Sequence, residues 1–88
     1  MADETELENL MEQASNAFEV LLAEICVDPV DVTGQVIADD ARIDLLATTS
    51  ARDRDALRDA GAVTGLRVLA RLIGAKSGIA AMSIQIDD

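Results

Sequence analysis

Apolar residues recur at alternating steps of four and three along the first third of the chain. This spacing places them on one stripe of an amphipathic helix. Thr5 and Glu8 form a T-x-x-E capping box at its start, and Pro29 disfavours helical geometry at the residue before it. These signals predict a helix over residues 5–27, whose stripe packs against the core or a partner. The stripe comprises Leu7, Leu10, Met11, Ala14, Phe18, Leu21, Leu22 and Ile25.

The middle of the chain has no comparable periodicity. Residues 28–35 are rich in turn formers, although Val30 and Val32 alternate with acids as they would in a short extended piece. Over residues 36–48 the apolar side chains spread around a helical wheel instead of forming a stripe. Two alternatives follow, a short helix buried on several sides or a partly extended segment. We expect the helix.

Two further helices are predicted in the second half of the chain. Ser50 followed by Asp53 is a second capping signal, which opens a helix over residues 50–60. A break is expected at Gly61, because glycine is unfavourable inside a helix and the apolar phase changes there. The next helix, residues 63–74, is apolar on more than one side, as expected of a central helix or one buried against a second chain. This second packing segment has Val63, Leu66, Leu69 and Ile73 on its stripe, and Val68 and Leu72 off it.

At the end of the chain, apolar residues occur at every second position. Met82, Ile84 and Ile86 alternate with polar residues, which predicts a short half-buried strand over residues 79–86. A lone strand cannot satisfy its own backbone, so it must pair with the 30–37 region, with a symmetry mate or with a partner's sheet edge. The alternative is a frayed or helical tail.

Together these elements predict a mainly α fold. An 88-residue chain without repeats or linkers is expected to form a single small domain over residues 1–88. Phe18 is the only aromatic residue, and a core of aliphatic side chains favours close helix packing. The expected fold is a small bundle of three to four helices with a short C-terminal strand, and the helices span about 5–27, 36–48, 50–60 and 63–74.

The charge is strongly negative and unevenly distributed. The formal net charge is −10, which excludes phosphate-backbone binding as the main activity, because that needs clustered Lys and Arg. Residues 1–41 hold eleven acids and no base, whereas residues 42–88 hold six acids and all seven bases. The acidic half predicts contact with a basic partner or with the Arg-bearing region of another copy, unless it only confers solubility. The acidic face of the first helix comprises Glu12, Glu19 and Glu24.

Residue types that most catalysis requires are missing. The chain has no His, Trp or Tyr and one cysteine, Cys26, which excludes Ser/His/Asp catalysis, Cys/His catalysis and a zinc site within one chain. Residues 74–77 lack the glycine that precedes lysine in a phosphate-binding loop, and Pro29 occupies the first ligand position of a calcium-loop-like spacing. We therefore expect no enzymatic activity and no catalytic, cofactor-binding or metal-binding residue.

The expected cellular location follows from features that the sequence lacks. No stretch approaches the roughly 20 apolar residues that a membrane span needs, and the acidic start of the chain differs from a signal peptide. A single cysteine favours a reducing environment. We expect a soluble protein of the cytoplasm or of a virion.

Three functions fit these observations. The first is a non-catalytic helical protein for protein–protein interaction or assembly, such as an adaptor or a viral or phage structural or connector component. The second is an acidic inhibitor or antitoxin-like regulator that mimics nucleic acid. The third is a small non-catalytic subunit of a larger enzyme. We expect the first, with self-association or a larger protein assembly, no direct nucleic-acid binding and no membrane partner.

Overall fold

The computed structural model describes residues 3–87, so both ends of the predicted 1–88 domain lie outside the described residues. The described chain folds into three α-helices and one three-stranded sheet. The fold is mixed α+β, and the prediction of a mainly α helical bundle is therefore wrong. The elements are α1 (Glu4–Ile25), β1 (Asp31–Ile37), a 3-10 turn (Ala38–Asp40), β2 (Arg42–Thr48), α2 (Ala51–Asp59), α3 (Ala62–Ser77) and β3 (Ala81–Asp87).

The largest correction concerns residues 36–48, which form the end of β1, the 3-10 turn and β2 in place of the predicted α-helix. β1 pairs antiparallel with β2 along the full length of both strands. Leu46 conceals the period of two in β2, because it is apolar yet points to the open face of the sheet, where 37% of its surface is exposed. The core-facing residues of β2 are Ile43, Leu45 and Ala47.

The C-terminal strand predicted over residues 79–86 is confirmed as β3. It does not pair with the 30–37 region but lies parallel to β2, with Ile84 opposite Leu45. A parallel neighbour requires a long crossover connection, which α2 and α3 provide. The sheet order is β1-β2-β3, so β1 and β3 are both edge strands.

Side-chain caps set the starts of α1 and α2. Asp3 is the N-cap of α1, since its carboxylate accepts a hydrogen bond from the Glu6 N–H at 2.8 Å. The capping box predicted from Thr5 is therefore wrong by two residues. The predicted Ser50 cap of α2 is confirmed, with its hydroxyl accepting from the Asp53 N–H at 3.2 Å.

A glycine with left-handed backbone geometry lies at each end of α3. Gly61, at φ 76°, separates α2 from α3 and confirms the predicted break. The helix continues past Gly74 to Ser77, and Gly78, at φ 71°, ends it. Gly74 lies inside the helix because α3 approaches the sheet closely there. A Cβ at this position would be 2.8 Å from the Ala80 carbonyl oxygen.

The two long helices cover the same face of the sheet. α1 lies over β1 and β2 while α3 lies over β3, and their inward side chains share one core with the strands. Each helix leads by a short loop into an edge strand, and β1 and β3 are antiparallel to each other, so α1 and α3 run antiparallel. The opposite sheet face is open and mostly polar, and it carries Thr33, Gln35, Asp44, Leu46, Ser83 and Gln85.

Candidate interaction surfaces

The apolar stripe predicted on α1 is divided between the core and the outside. Leu10 and Met11 are half-buried at the rim of the core. Leu21 is 41% exposed and Ile25, the last residue of the helix, is 55% exposed, so neither side chain belongs to the core. The buried members are Leu7, Ala14, Phe18 and Leu22.

The second packing segment, on α3, is divided in the same way. Leu66 is buried and Val63 and Ile73 are half-buried against the core, whereas Leu69 is 45% exposed. The two residues off the stripe are exposed as well, namely Val68 and Leu72. The outer side of α3 is therefore apolar where a helix on a wet surface is usually polar.

We refer to the exposed apolar side chains of α1 and α3 together as the apolar outer surface of the helical layer. It consists of Val20, Leu21, Ile25, Val68, Leu69 and Leu72. Leu21 and Ile25 are one turn apart on α1, and Val68 and Leu72 are one turn apart on α3, so each pair is adjacent. Single apolar residues scattered over a surface are normal, whereas adjacent groups on neighbouring helices are typical of a contact site.

An acidic edge lies where α1 overhangs β1. Glu12 and Glu19 line a groove there together with Gly34 of the strand. Glu24 follows Glu19 by five positions, which is about 140° around the helix, and it lies outside this groove. The structure thus brings two of the three carboxylates of the predicted acidic face to the free edge of the sheet.

A basic edge lies on the opposite side, where α3 overhangs β3. Arg67 and Arg71 line a groove with Ser83 and Ile84, and Arg71 also lines the neighbouring groove beside Met82. These two arginines were not among the site residues predicted from the sequence. Their spacing of four residues was the available signal, because it places both on one side of a helix.

Hydrogen bonding within the sheet leaves a row of backbone groups facing outward from β3. The Ala81 N–H donates to the Ala41 carbonyl and the Thr49 N–H donates to the Asp87 carbonyl, each at 2.9 Å. Backbone groups point to alternate sides along a strand, so the neighbouring residues turn theirs away from β2. The side chains predicted for strand pairing enter the core, while their N–H and C=O groups face the free edge. These residues are Met82, Ile84 and Ile86.

The same alternation applies to β1. Since odd-numbered residues of β2 turn their backbone groups toward β3, the even-numbered ones turn toward β1. They meet the odd-numbered residues of β1, from Asp31 to Ile37. The outward N–H and C=O groups of β1 therefore belong to Val32, Gly34 and Val36.

The buried carboxylate of the described region, Asp53, has a structural role. It is 3% exposed and accepts hydrogen bonds from the backbone N–H groups of Val27 at 2.9 Å and Asp28 at 2.8 Å. These two bonds are the main reason that the pKa of Asp53 lies below its usual range. The Ser50 hydroxyl and Arg52 lower this pKa further, while desolvation opposes them. Asp53 thus stays ionised and ties the loop after α1 to the start of α2.

Cys26 is half-buried at the C-terminal end of α1. Burial raises the pKa of its thiol, and the carboxylates of Asp53 and Asp28 raise it further. Because the thiolate is the reactive species, this environment lowers the reactivity of Cys26 near neutral pH. Among residues 3–87, no group of three or more acidic or cysteine side chains is placed to hold a metal ion.

In the part of the chain that the structure describes, no helix combines the length and the apolar character needed to cross a membrane. Comparisons with known protein families, with curated proteins and with solved structures found no match. The apolar outer surface and the two charged edges are therefore the basis of the functional proposal.

Proposed function

We propose that this protein is a non-catalytic interaction protein that joins copies of itself or a larger protein assembly. The observation that carries the proposal is the apolar outer surface of α1 and α3. On it, Val20 is 60% exposed, Ile25 is 55% exposed and Leu72 is 59% exposed. Covering such side chains contributes about 25 cal/mol per Å² of apolar area removed from water. A partner protein that covers them would therefore be held by the hydrophobic effect.

The chemistry of the two perturbed titratable groups supports a non-catalytic role. Both carboxylate oxygens of Asp53 are engaged by backbone N–H groups, whereas a general base needs an oxygen that can accept a proton from substrate. The raised pKa of Cys26 keeps its thiol protonated near neutral pH, whereas a nucleophile needs the thiolate. A reducing compartment, such as the cytoplasm or the inside of a virion, is the proposed setting for this free thiol.

The test places a charge on the apolar outer surface without disturbing the core. Ile25→Asp and Leu72→Asp both change well-exposed residues, so each variant should fold and lose its assembly. Asn9→Asp adds the same charge at an exposed position on the wet side of α1, and it should leave assembly unchanged. Light scattering at about 0.5 M salt, where contacts between exposed charges are screened, measures the mass of particles held by the apolar outer surface, and circular dichroism checks the fold. Assembly that survives both core-sparing substitutions, or a wild-type chain that stays monomeric and captures no protein, would contradict the proposal.

A further inference from the structure

The two free edges of the sheet carry opposite charge. Glu12 and Glu19 flank the outer side of β1, and Arg67 and Arg71 flank the outer side of β3. Within residues 3–87, neither of these arginines forms an ion pair. Four of the other bases, by contrast, already have a carboxylate partner, and these are Arg42, Arg52, Arg54 and Arg58.

Each edge also offers the backbone groups that a further strand needs. Three residues of β3 and three of β1 turn their N–H and C=O groups outward, and each set has the two-residue period of a strand ladder. Free edges of this kind pair readily with another extended chain. The charges and the free hydrogen-bonding groups therefore coincide at both edges.

We propose that copies of this chain associate head to tail, with β3 of one copy pairing antiparallel to β1 of the next. This interface rests on the proposed function, because it is one way in which the protein self-associates. β1 is antiparallel to β3 within one chain, so a neighbour placed beside β3 in the same orientation presents β1 in the antiparallel direction. Both helical layers then lie on the same side of a continuous sheet, and α1 of the neighbour lies next to α3.

Charge complementarity selects this arrangement over a two-fold one. Head-to-tail contact sets Arg67 and Arg71 of one copy against Glu12 and Glu19 of the next. The natural register pairs Ile84 with Gly34, because each is the middle one of the three residues in its strand whose backbone groups face outward. A two-fold contact between two β3 edges would oppose arginines with arginines, and one between two β1 edges would oppose glutamates with glutamates. Like charges facing each other are destabilising, so charge favours the head-to-tail orientation when both helical layers lie on the same side of the sheet.

Head-to-tail contact leaves one free edge at each end of the assembly. The association therefore continues into a ring or a filament instead of stopping at a dimer. Since the flanking charges are exposed, association should weaken with salt, because the Debye length falls from about 14 Å near 0.05 M to about 4 Å near 0.5 M.

The first experiment measures self-association of the full chain by sedimentation velocity at low and high salt. The Arg67→Glu/Arg71→Glu variant should raise the dissociation constant by roughly tenfold or more. Adding Glu12→Arg and Glu19→Arg to that variant swaps the charges of both edges, and this chain should associate again. The matched control is Arg52→Glu/Lys76→Glu, which changes the net charge equally. Lys76 lies about 140° around α3 from Arg71, so the control should associate like the wild type.

The second experiment follows amide hydrogen exchange as the concentration of wild-type protein rises. The outward-facing amides of Ile84 and Gly34 should become protected, whereas those of Ser83 and Gln85, which already face β2, should change little. Amides at Ile84 and Gly34 that exchange at a rate independent of concentration, in an associating sample, would overturn the strand pairing.

The outcomes separate this interface from the proposed function. A wild-type chain that does not associate at low salt overturns the interface, while capture of another protein through the apolar outer surface is measured independently. Association that persists in Arg67→Glu/Arg71→Glu but is lost in Leu72→Asp also overturns the interface and leaves the proposed function standing. Loss of association in Arg67→Glu/Arg71→Glu, with its recovery when Glu12→Arg and Glu19→Arg are added, supports the head-to-tail contact.

Discussion

Replacing Leu22 by alanine should destabilise the protein far more than the same replacement at Leu21, although the two residues are adjacent in α1. Leu22 is 0% exposed and Leu21 is 41% exposed. Both replacements change the helix propensity by the same amount, so this contribution cancels when they are compared. The pair therefore isolates the free energy that comes from burial.

The expected magnitude follows from the surroundings of each side chain. A fully buried Leu→Ala replacement costs about 2–5 kcal/mol, because the lost transfer free energy is increased by the cavity that remains. At Leu21 no closed cavity forms and only part of the side chain leaves water on folding, so the cost is about 1 kcal/mol. A domain of this length has a total stability of about 4–13 kcal/mol, so Leu22→Ala should remove a large share of it.

The assay is urea unfolding followed by far-ultraviolet circular dichroism, because the chain has no Trp or Tyr for fluorescence. About 0.5 M salt suppresses the charge-dependent association, and dilution of the protein limits association through the apolar outer surface, so the free energies refer to the monomer. Equal losses at the two positions would refute the orientation of α1 on the sheet. A loss at Leu21 that grows with protein concentration would instead indicate that a partner covers this residue, as the proposed function requires.

Three further substitutions test the packing and the electrostatics of the fold. Asp53→Asn should lower stability at neutral pH, because a donor amide replaces a carboxylate that accepts two backbone N–H groups. The folded pKa of Asp53 is lowered, so its contribution to stability is complete above the unfolded pKa of about 3.9 and is lost as the pH falls through the folded pKa. The difference in unfolding free energy between wild type and variant should thus narrow in acid, and a constant difference would contradict this role. Gly74→Ala should cost about 1–3 kcal/mol despite better helix propensity, since its Cβ would lie 2.8 Å from the Ala80 oxygen and 2.9 Å from the Met82 nitrogen. Gly65→Ala meets nothing within 4 Å and should stabilise the helix by about 1 kcal/mol, so thermal melts that shift in the same direction for both would count against this account.

The helices could be predicted because their signals are local. The stripe on α1, the Ser50 cap and the break at Gly61 all depend on residues within a few positions of each other. The strand β3 was predictable for the same reason, since Met82, Ile84 and Ile86 form an uninterrupted period of two. The Thr5 capping box failed because Asp3, two residues earlier, also offers an oxygen to a free N–H of the first turn.

The hairpin of β1 and β2 could not be predicted with the same means. Among the positions of β1 whose side chains face the core, Gly34 has no side chain. The space that it leaves is filled by Met11 from a distant part of the chain. Leu46 adds an apolar side chain to the face of β2 that points away from the core. The 3-10 turn between the strands lacks the Asn-Gly or Asp-Gly pair that marks a tight hairpin. Each feature makes sense only once the two strands are paired and covered.

The candidate surfaces were predictable only in part. The excess of apolar residues on the second packing segment pointed to a contact on α3, and the acids of α1 pointed to a charged face. The division of that face, with Glu19 at the β1 edge and Glu24 away from it, depends on how α1 is rotated on the sheet. The basic edge at Arg67 and Arg71 exists because β3 lies outermost in the sheet.

The amino-acid order alone indicated α1, α2, α3, the break between α2 and α3 and the last strand, since hydrogen bonds within a helix and the periodicity of side chains are properties of neighbouring residues. It also favoured a helix over residues 36–48, which does not form. The tertiary structure decided that β1 and β2 form a hairpin where a helix was predicted, that β3 joins β2, and which charged side chains meet at each edge. A strand forms its hydrogen bonds with residues far along the chain, so its partner, and the surface that remains outside it, are settled only when the helices and strands assemble.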